Sequence, residues 1–280
     1  MSRQTRFHPK FKDRTYIMGV LNITPDSFSD GGKFFDKKEA FRHAVRMASD
    51  GADIIDIGGE STRPGAEDLD VRSECERVIP VIESIAGKID IPISIDTRKA
   101  VVAEEALKAG ASIVNDVSGL TYDTGLAGVA AKYGAFTILM HMKGTPKDMQ
   151  QAPSYDNLIS EIIESLRSSI DIATSAGIPE ENIIIDPGIG FGKTLEHNIE
   201  ILRRLDEFKI LNKPICIGTS RKSFIGKILN EPDPASRLAG SIAAGVVAVM
   251  KGANILRVHD CLEAREASRV VDAINKVRAD

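Results

Sequence analysis

The sequence predicts an α/β protein with the (β/α)8 barrel (TIM barrel) fold. Eight short apolar runs rich in β-branched residues recur along the chain, and each is followed by a segment with helical periodicity. Spread over 280 residues, each strand–helix unit takes about 35 residues, which matches a barrel of about 250 residues. A doubly wound open sheet, built from the same units, is the competing architecture.

The eight predicted strands are continuous apolar runs rather than alternating ones. Continuous runs are typical of parallel strands that are buried on both faces. In chain order the strands are expected at residues 16–22, 53–58, 92–97, 112–117, 135–141, 182–186, 214–218 and 254–259.

The connecting segments are predicted to be helices. Between residues 157 and 170, apolar residues fall at the i, i+3, i+4 spacing of a helix with one buried stripe. Glycines of the kind that favour helix C-caps precede several strands, namely Gly51, Gly110, Gly134, Gly177 and Gly252. No linker or change in composition divides the chain, so we expect one barrel domain over residues 1–280, with residues 1–14 as a short N-terminal extension.

The composition indicates a globular protein whose main partner is not nucleic acid. The chain is 42 % hydrophobic and 27 % charged, which is ordinary for a soluble domain. Its 36 Lys and Arg residues and 40 Asp and Glu residues give a formal net charge of −4, with no sustained basic run. Neutralising a phosphate backbone needs a basic face, although this net charge still permits a local cationic pocket.

No segment predicts a membrane span or a secretory signal. The longest strongly apolar uncharged run, residues 238–250, has 13 residues, whereas a spanning helix needs about 20, so we expect a buried core helix there. The polar, basic N-terminus lacks the apolar stretch of a signal peptide. Cys75, Cys216 and Cys261 are odd in number and lack metal-ligand spacing, which predicts reduced thiols in a cytoplasmic protein.

Polar residues stand at the ends of nearly all the predicted strands, where the active sites of (β/α)8 barrels lie. Because a buried polar group without a partner costs roughly 1–3 kcal/mol, such a ring is hard to explain by structure alone. Its members are Asn22, Asp56, Asp96, Asn115, His141, Asp186, the segment 220–223, Arg257 and His259.

The ring divides by charge into two sides. Asp96, Asn115 and Asp186 form an acceptor-rich side, which suits a flat heterocycle with adjacent N–H donors, because parallel hydrogen bonds fix its orientation. The cationic side suits a phosphate or diphosphate, and its members are Arg63, Lys222, Arg257 and His259. The apolar walls of the pocket are expected from Met140, Val117 and Phe191.

The loop at residues 186–194 contains glycines that invite a nucleotide-binding interpretation. Gly192-Lys193-Thr194 matches the end of a P-loop motif, but Pro187 stands where that motif needs its first glycine. The dinucleotide motif G-x-G-x-x-G fails because Lys193 occupies its third glycine position. Both interpretations are excluded, and Lys193 and Thr194 are expected to be a solvated helix start.

Seven motifs in order give the chain a resemblance to the dihydropteroate synthase family of folate-pathway enzymes. They are NITPDSFSDGG (22–32), GESTRPG (59–65), SIDT (94–97), NDVSG (115–119), DPGIGF (186–191), SRKSF (220–224) and RVHD (257–260). The resemblance covers roughly residues 16–263, and residues 145–154 do not carry it and are expected to be a loop. The family fold is the (β/α)8 barrel, in agreement with the strand count.

The resemblance implies a transferase that joins 6-hydroxymethyl-7,8-dihydropterin diphosphate to 4-aminobenzoate, with Mg²⁺ assisting. By this resemblance, the pterin is held by Asp96, Asn115, Val117, Met140, Asp186, Phe191, Lys222 and Arg257. The 4-aminobenzoate site would comprise Phe28, Thr62, Pro64, Phe191 and Ser223, and the diphosphate site Arg63, Arg257 and His259. Asn22 resembles the Mg²⁺ contact, and the residues assigned to catalysis are Asn22, Asp30, Lys222, Arg257 and His259.

The implied reaction fits the charges of the two sides. Breaking the C–O bond to diphosphate builds negative charge on the leaving group, which cations and a metal stabilise. The electron-rich dihydropterin can delocalise the positive charge left on its methylene carbon, so an SN1-like step is expected. The family also implies a homodimer and competition by sulfonamides, since the segment 61–65 is uninterrupted.

Two other functions share these features. A pterin-binding methyltransferase barrel would use the same acceptor side, but a methyl donor has no diphosphate to hold. A catalytically silent paralogue would be expected to lack Asn22, Arg63, Lys222 or Arg257, and all four are present. The roles of three residues stay open: Asp56 is either a structural partner or a site residue, His141 is expected to be structural rather than a metal ligand, and Arg221 contacts either an anion or a carboxylate.

Overall fold

The structure is a computed structural model, and it describes residues 9, 11, 13–23, 37–61, 68–145 and 147–277. Five residues named above, Phe28, Asp30, Thr62, Arg63 and Pro64, lie outside the described residues. In the described part of the chain, no helix is both long and apolar enough to cross a membrane.

Eight parallel strands form a nearly closed barrel. They are β1 Tyr16–Asn22, β2 Ile54–Gly58, β3 Ile93–Asp96, β4 Ile113–Asp116, β5 Phe136–Met140, β6 Ile183–Asp186, β7 Cys216–Ile217 and β8 Ile255–Val258. Hydrogen-bonded neighbours run in the order β6-β5-β4-β3-β2-β1-β8-β7. A single parallel bridge between Ile185 and Ile215 joins the two ends of this order. The (β/α)8 prediction is therefore confirmed, and the open-sheet alternative is wrong.

Helices follow the strands along the described chain. They are α1 Lys37–Ser49, α2 Val71–Ile85, α3 Ala100–Ala109, α4 Leu126–Tyr133, α5 Leu158–Ser175, α6 Leu195–Arg203, α7 Ser223–Leu229, α8 Leu238–Met250 and α9 Cys261–Val277. Two of the predicted glycine C-caps, Gly110 and Gly134, end α3 and α4, and their N–H groups bond back to those helices. Helices α5 and α8 end instead at Ala176 and Lys251, each one residue before the predicted glycine.

The barrel interior is apolar at one end and polar at the other. Met18, Ile54, Ile113, Ile138, Ile184, Cys216 and Ile255 pack together in a buried layer, and Phe11 and Tyr16 pack against it. Because alternate residues of a strand share a face, the next inward positions on four of these strands are Asp56, Asn115, Asp186 and Arg257. The outward residues pack under the helices. On these four strands the residues before the polar inward position are apolar on both faces, which explains the continuous runs.

Helix α8 differs from its sequence prediction as a buried core helix. Only one face is buried, through Ser241, Gly245, Ala248 and Val249. Val247 and Met250 on the outer face are exposed. Small residues let the helix lie close to the barrel, and the rest of its apolar surface faces outward.

A buried cluster of charges lies where α3 begins, beside the end of β2. Lys99 Nζ donates to Glu60 Oε2 at 2.8 Å and to Glu74 Oε2 at 2.6 Å, and all three side chains are nearly inaccessible. Glu60 Oε1 accepts the backbone N–H of Leu69 at 2.8 Å. Burial lowers the pKa of Lys99, but its two carboxylate partners outweigh burial, so the pKa is raised. The cluster connects the chain before residue 62 to the chain after residue 67.

Replacing Lys99 with Met should lower the free energy of unfolding by about 3–5 kcal/mol, because the fully buried Glu74 loses its cation and Glu60 keeps only Arg98, at 3.4 Å. Urea denaturation followed by circular dichroism measures this change. The matched control is Lys108→Met on the same helix, where an exposed Lys108–Glu105 pair should contribute less than about 0.5 kcal/mol. Equal effects of the two substitutions would contradict the structural importance of the buried cluster.

Candidate active site

The carboxyl ends of the strands bring the predicted acceptor side together around Arg257. The guanidinium of Arg257, on β8, donates through Nε to Asp56 Oδ2 at 2.7 Å and through Nη2 to Asp96 Oδ2 at 2.6 Å. Asn115 Nδ2 donates to the same Asp56 oxygen at 3.0 Å. Asp56 is fully buried and is therefore the partner that orients both Arg257 and Asn115. Of the two roles left open for Asp56, the structure shows the structural one, through Oδ2, while Oδ1 is buried without a hydrogen-bond partner among the described residues.

Burial and the ion pairs of Arg257 together affect the protonation of Asp96 and of Arg257 itself. Burial raises the pKa of Asp96 to about 7, although Arg257 acts in the opposite direction. Burial also opposes the charge on Arg257, but Asp56 and Asp96 outweigh it and raise its pKa. Arg257 therefore stays charged across the neutral range, while Asp96 can gain or lose a proton there.

Asp186, at the end of β6, belongs to the same pocket. Its Oδ1 accepts the N–H of Gly188 at 2.7 Å, which fixes the carboxylate against its own loop. Burial raises the pKa of Asp186, while the Gly188 N–H and the charges of Lys222 and Arg257 lower it. Asp186 thus lies at the same end of the barrel as Asp96 and Asn115, with which the sequence analysis grouped it.

Lys222 and Phe191 meet at the mouth of the barrel. Lys222 Nζ lies 4.2 Å from the centre of the Phe191 ring, within the range of a cation–π contact. Burial lowers the pKa of Lys222 to about 8, and Arg257 adds to the shift, whereas Asp186 and Asp96 oppose it. Lys222 and Arg257 are thus two neighbouring cations held between acidic side chains.

The predicted apolar walls form one buried cluster. Val117, Met140 and Phe191 pack together, and the cluster also contains Met149. Residues 145–154, which do not carry the resemblance, were expected to be a loop, and the described ones are turns and irregular structure. Met149 is only 3 % exposed, however, and Gln150 Nε2 donates to the carbonyl of Gly190 at 2.7 Å. No periodic pattern marks these residues in the sequence, because they belong to a loop.

Ser220 and His259 face each other across the ends of β7 and β8. Ser220 Oγ lies 3.1 Å from His259 Nδ1 and accepts the backbone N–H of His259 at 3.2 Å. Since Ser220 already accepts one bond, its own proton can go to Nδ1, which favours the tautomer with a proton on Nε2. Burial lowers the pKa of His259 to about 4. His259 therefore joins the predicted cationic side as a neutral hydrogen-bond donor, not as a charge.

Arg221 is a positioning residue that the sequence left open. Its backbone has φ +59°, a left-handed conformation that costs a non-glycine residue energy. The structure holds it there: its N–H donates to Ser241 Oγ at 2.9 Å, its carbonyl accepts from Arg237, and its side chain pairs with Asp260. Arg221 thus pairs with a carboxylate and fixes the turn that carries Lys222.

Lys193 is buried, contrary to the prediction of a solvated helix start. Only 2 % of the residue is exposed, and Nζ lies 2.9 Å from His141 Nδ1 and 2.9 Å from the Phe191 carbonyl. Thr194 does begin α6, with a capping box formed with His197. His141 is a structural histidine, as expected. The sequence Gly192-Lys193-Thr194 does not indicate that the lysine side chain points into the protein interior.

The metal prediction rests on Asn22, which ends β1 and is half-buried. Among the described residues, no three His, Cys, Asp or Glu side chains could together hold a metal ion. Mg²⁺ commonly takes one or two protein oxygens and completes its shell with substrate phosphates and water. A single amide oxygen such as that of Asn22 fits that kind of binding.

The remaining predicted residue, Ser223, is exposed at the first position of α7. It directly follows Lys222 in the chain, on the same turn.

Known proteins share this fold and sequence. The profile of the pterin binding enzyme family matches residues 18–259. The dihydropteroate synthase of Synechocystis sp. is 50 % identical over 261 residues, which cover 93 % of this chain and 90 % of that protein.

Two crystal structures are closely similar. That of the Clostridium difficile dihydropteroate synthase in the presence of pteroic acid has 51 % identity and a TM-score of 0.90, covering 95 % of this chain and 99 % of that one. That of the Yersinia pestis dihydropteroate synthase with a sulfonamide drug has 44 % identity and a TM-score of 0.91, covering 99 % and 98 %. The chain therefore belongs to the pterin-binding enzyme family and, within it, to the dihydropteroate synthases, which are transferases of the folate pathway.

Proposed function

We propose that the chain condenses 6-hydroxymethyl-7,8-dihydropterin diphosphate with 4-aminobenzoate, giving 7,8-dihydropteroate and diphosphate through an SN1-like, Mg²⁺-assisted step. One observation carries the assignment: each acceptor is held by the protein through one atom of its polar group. Arg257 binds Asp96 Oδ2, Asp56 binds Asn115 Nδ2, and Gly188 binds Asp186 Oδ1. Among the described residues, this leaves Asp96 Oδ1, Asn115 Oδ1 and Asp186 Oδ2 to accept N–H groups of a pterin.

The pterin pocket combines these acceptors with flat apolar walls. Met140 and Val117 lie beside the acceptors, and the Phe191 ring supports Lys222 from the loop above β6. Acceptors that are already oriented bind a rigid heterocycle without losing further side-chain entropy. Ionised Asp96 and Asp186 also favour an electron-poor, positively charged pterin, since negative charge stabilises developing cations.

The leaving group would lie toward Arg257 and His259. Arg257 keeps its charge through the neutral range, and His259 offers a neutral N–H donor toward diphosphate oxygens. Both groups stabilise the negative charge that grows on the leaving oxygen. When bound at Asn22, Mg²⁺ would neutralise part of the diphosphate charge. Arg63 remains a predicted further contact of the diphosphate.

A dissociative step needs no strong general base. The two histidines of the described pocket are weak bases, because burial lowers the pKa of His141 to about 2 and that of His259 to about 4. The amine of 4-aminobenzoate is uncharged at neutral pH and can attack the carbocation-like methylene once the C–O bond to diphosphate has broken. The N-protonated amine that forms is a strong acid and gives its proton to water. We place the acceptor at Ser223 and Phe191, with Phe28, Thr62 and Pro64 as further predicted contacts, and Asp30 as a further predicted catalytic residue.

The expected activity is diphosphate release that depends on both 4-aminobenzoate and Mg²⁺. Asp186→Ala should lower kcat/KM for the pterin substrate by about tenfold to a hundredfold, because a hydrogen bond to a charged group is worth about 1.5–3 kcal/mol. A coupled assay of diphosphate release, with chromatography of the dihydropteroate product, measures both the dependence on 4-aminobenzoate and Mg²⁺ and the change in kcat/KM. Asp171→Ala, an exposed change on α5, is the control. The absence of an aminobenzoate-dependent product would overturn the proposed function.

Pterin binding should be strongest between about pH 7 and pH 8. Below about pH 7, Asp96 is protonated and no longer presents two acceptor oxygens, since its pKa is raised to about 7. Above about pH 8, Lys222 loses its charge, since its pKa is lowered to about 8. Calorimetric titration of 6-hydroxymethyl-7,8-dihydropterin, corrected for the ligand's own protonation, measures the profile. Lys222→Arg keeps its charge at high pH and should remove the alkaline limb; an unchanged limb would contradict the assignment.

We also propose that the enzyme is a homodimer that works in the cytoplasm. Exposed aliphatic side chains lie on three neighbouring helices: Ile199 on α6, Ile228 and Leu229 on α7, and Val247 and Met250 on α8. A second copy of the chain packed on this surface would remove it from water. The free thiols of Cys75, Cys216 and Cys261 support a reducing compartment.

Placing two charges on the exposed face of α8 should therefore separate the dimer. For Val247→Glu with Met250→Glu we expect a monomer by sedimentation equilibrium at concentrations where the wild type is a dimer. The control is Val101→Glu with Ile172→Glu, which changes two equally exposed residues on α3 and α5. A monomeric wild type, or a doubly charged variant that still dimerises, would exclude this surface.

A further inference from the structure

Lys193 is the most deeply buried lysine among the described residues, and its burial has no role in the mechanism above. Its Nζ makes three contacts: His141 Nδ1 at 2.9 Å, the Phe191 carbonyl at 2.9 Å and the His141 carbonyl at 3.3 Å. An ammonium has three N–H donors, so these contacts use its full hydrogen-bonding capacity. None of the three acceptors carries a charge, and Lys193 is thus a buried cation that is solvated by the protein.

The three acceptors lie on two separate parts of the pterin pocket. His141 directly follows Met140 at the end of β5, whereas Phe191 belongs to the loop between β6 and α6. The backbone of this loop lies hard against the β5 end. A Cβ atom at Gly188, where φ is +74°, would overlap the His141 carbonyl oxygen, so only glycine fits. Lys193 therefore joins the loop to the strand at a point where the two backbones are in close contact.

Other bonds hold the same loop from outside. The N–H of Gly190 donates to Asn198 Oδ1 at 2.7 Å, and the hydroxyl of Tyr155 donates to the Gly192 carbonyl at 2.8 Å. Between them, the Phe191 carbonyl bonds Lys193 and the Phe191 ring contacts Lys222. Lys193 is the interior member of this set, and it acts on the residue whose ring lines the pocket.

We propose that Lys193 and His141 form a positioning pair that sets the pterin wall, with Lys193 holding Phe191 and the end of β5 in the geometry that binds the ring. The inference rests on the proposed function, since it concerns how that site recognises its pterin. Lys193 does not touch the substrate in this account. It acts through the placement of Phe191 and Met140.

The charges around the pair support this division of roles. Burial lowers the pKa of Lys193 to about 7, with Lys222 adding to the shift and Asp186 opposing it. Burial also lowers the pKa of His141 to about 2, with Lys193 and Lys143 adding to the shift. His141 is therefore the neutral acceptor, and when the pair holds the extra proton, that proton is on Lys193. A methionine of similar volume would avoid the burial of a charge but would bond neither carbonyl.

Steady-state kinetics of Lys193→Met test the pair. We expect KM for the dihydropterin diphosphate to rise at least tenfold, while kcat and KM for 4-aminobenzoate change less than threefold. Lys143→Met is the matched control, since Lys143 contacts the Tyr155 ring beside the same loop but is largely exposed; it should change each value less than twofold. A pterin KM within threefold of the wild type would overturn the proposal, whatever the change in Tm.

Substitutions of His141 give a second, independent test. His141→Asn keeps an acceptor near the Nδ1 position and should retain a near-normal pterin KM, whereas His141→Leu removes the acceptor and should raise it as Lys193→Met does. The double variant Lys193→Met with His141→Leu should be no worse than either single variant, because both break the same contact. Equal effects of Asn and Leu would contradict a hydrogen-bonding role.

Hydrogen exchange separates failure of this inference from failure of the proposed function. Mass spectrometry of the wild type and Lys193→Met, without substrates, should show at least tenfold faster amide exchange in peptides covering residues 187–194. Unchanged exchange would overturn the inference even if the enzyme is active. If the wild-type protein makes no dihydropteroate but exchange is still faster in Lys193→Met, the proposed function is overturned, and with it the role of Lys193 at the pterin wall. The contact that Lys193 makes between the loop and the strand would still be established.

Discussion

The Arg257 guanidinium, bonded to Asp56 and Asp96 at the mouth of the barrel, is the interaction on which the site depends. A fully buried carboxylate such as Asp56 is costly unless it is paired, and Arg257 supplies the pairing together with the amide of Asn115. In return, Asp56 fixes the direction of both groups. The arrangement converts four strand ends into one rigid surface, so that β2, β3, β4 and β8 cannot shift relative to one another without breaking a charged contact.

The fold, and much of this surface, could be predicted from the sequence because both follow from periodicity. Strands buried on two faces give continuous apolar runs, and a polar residue that interrupts such a run near its carboxyl end must face the barrel axis or lose its partners. Asp96, Asn115 and Asp186 obeyed this rule, and the structure brings them together around Arg257. The strand bounds agree to within one or two residues, because the hydrogen-bonded ladders end where those polar residues begin.

The remaining features of the structure could not be predicted, because they depend on the direction in which a side chain points and on the conformation of loops. Lys193 follows Gly192 at a helix start, where a lysine usually points to solvent, and only the positive φ values of Gly188, Gly190 and Gly192 turn the loop so that Nζ enters the core. The Lys99 cluster joins residues 39 positions apart through side chains that carry no common pattern. Helix α8 looked like a core helix because hydropathy alone does not distinguish a buried face from one that lies open for a partner.

The burial of charged groups in the site costs free energy, and the same burial prepares the site to bind a charged ligand. Asp96 and Asp186 have raised pKa values and Lys222 and Lys193 have lowered ones, and in each of these four groups burial is the largest cause. Lys193 donates its three N–H groups to protein acceptors, whereas Asp96, Asp186 and Lys222 are paired incompletely and retain bonding capacity or charge that the polypeptide does not satisfy. A substrate with N–H donors at one end and phosphate oxygens at the other supplies the missing partners in a pocket that is already oriented. Substrate binding should thus relieve an electrostatic strain built into the fold, which is why replacing a single charged residue here is expected to affect recognition more than folding.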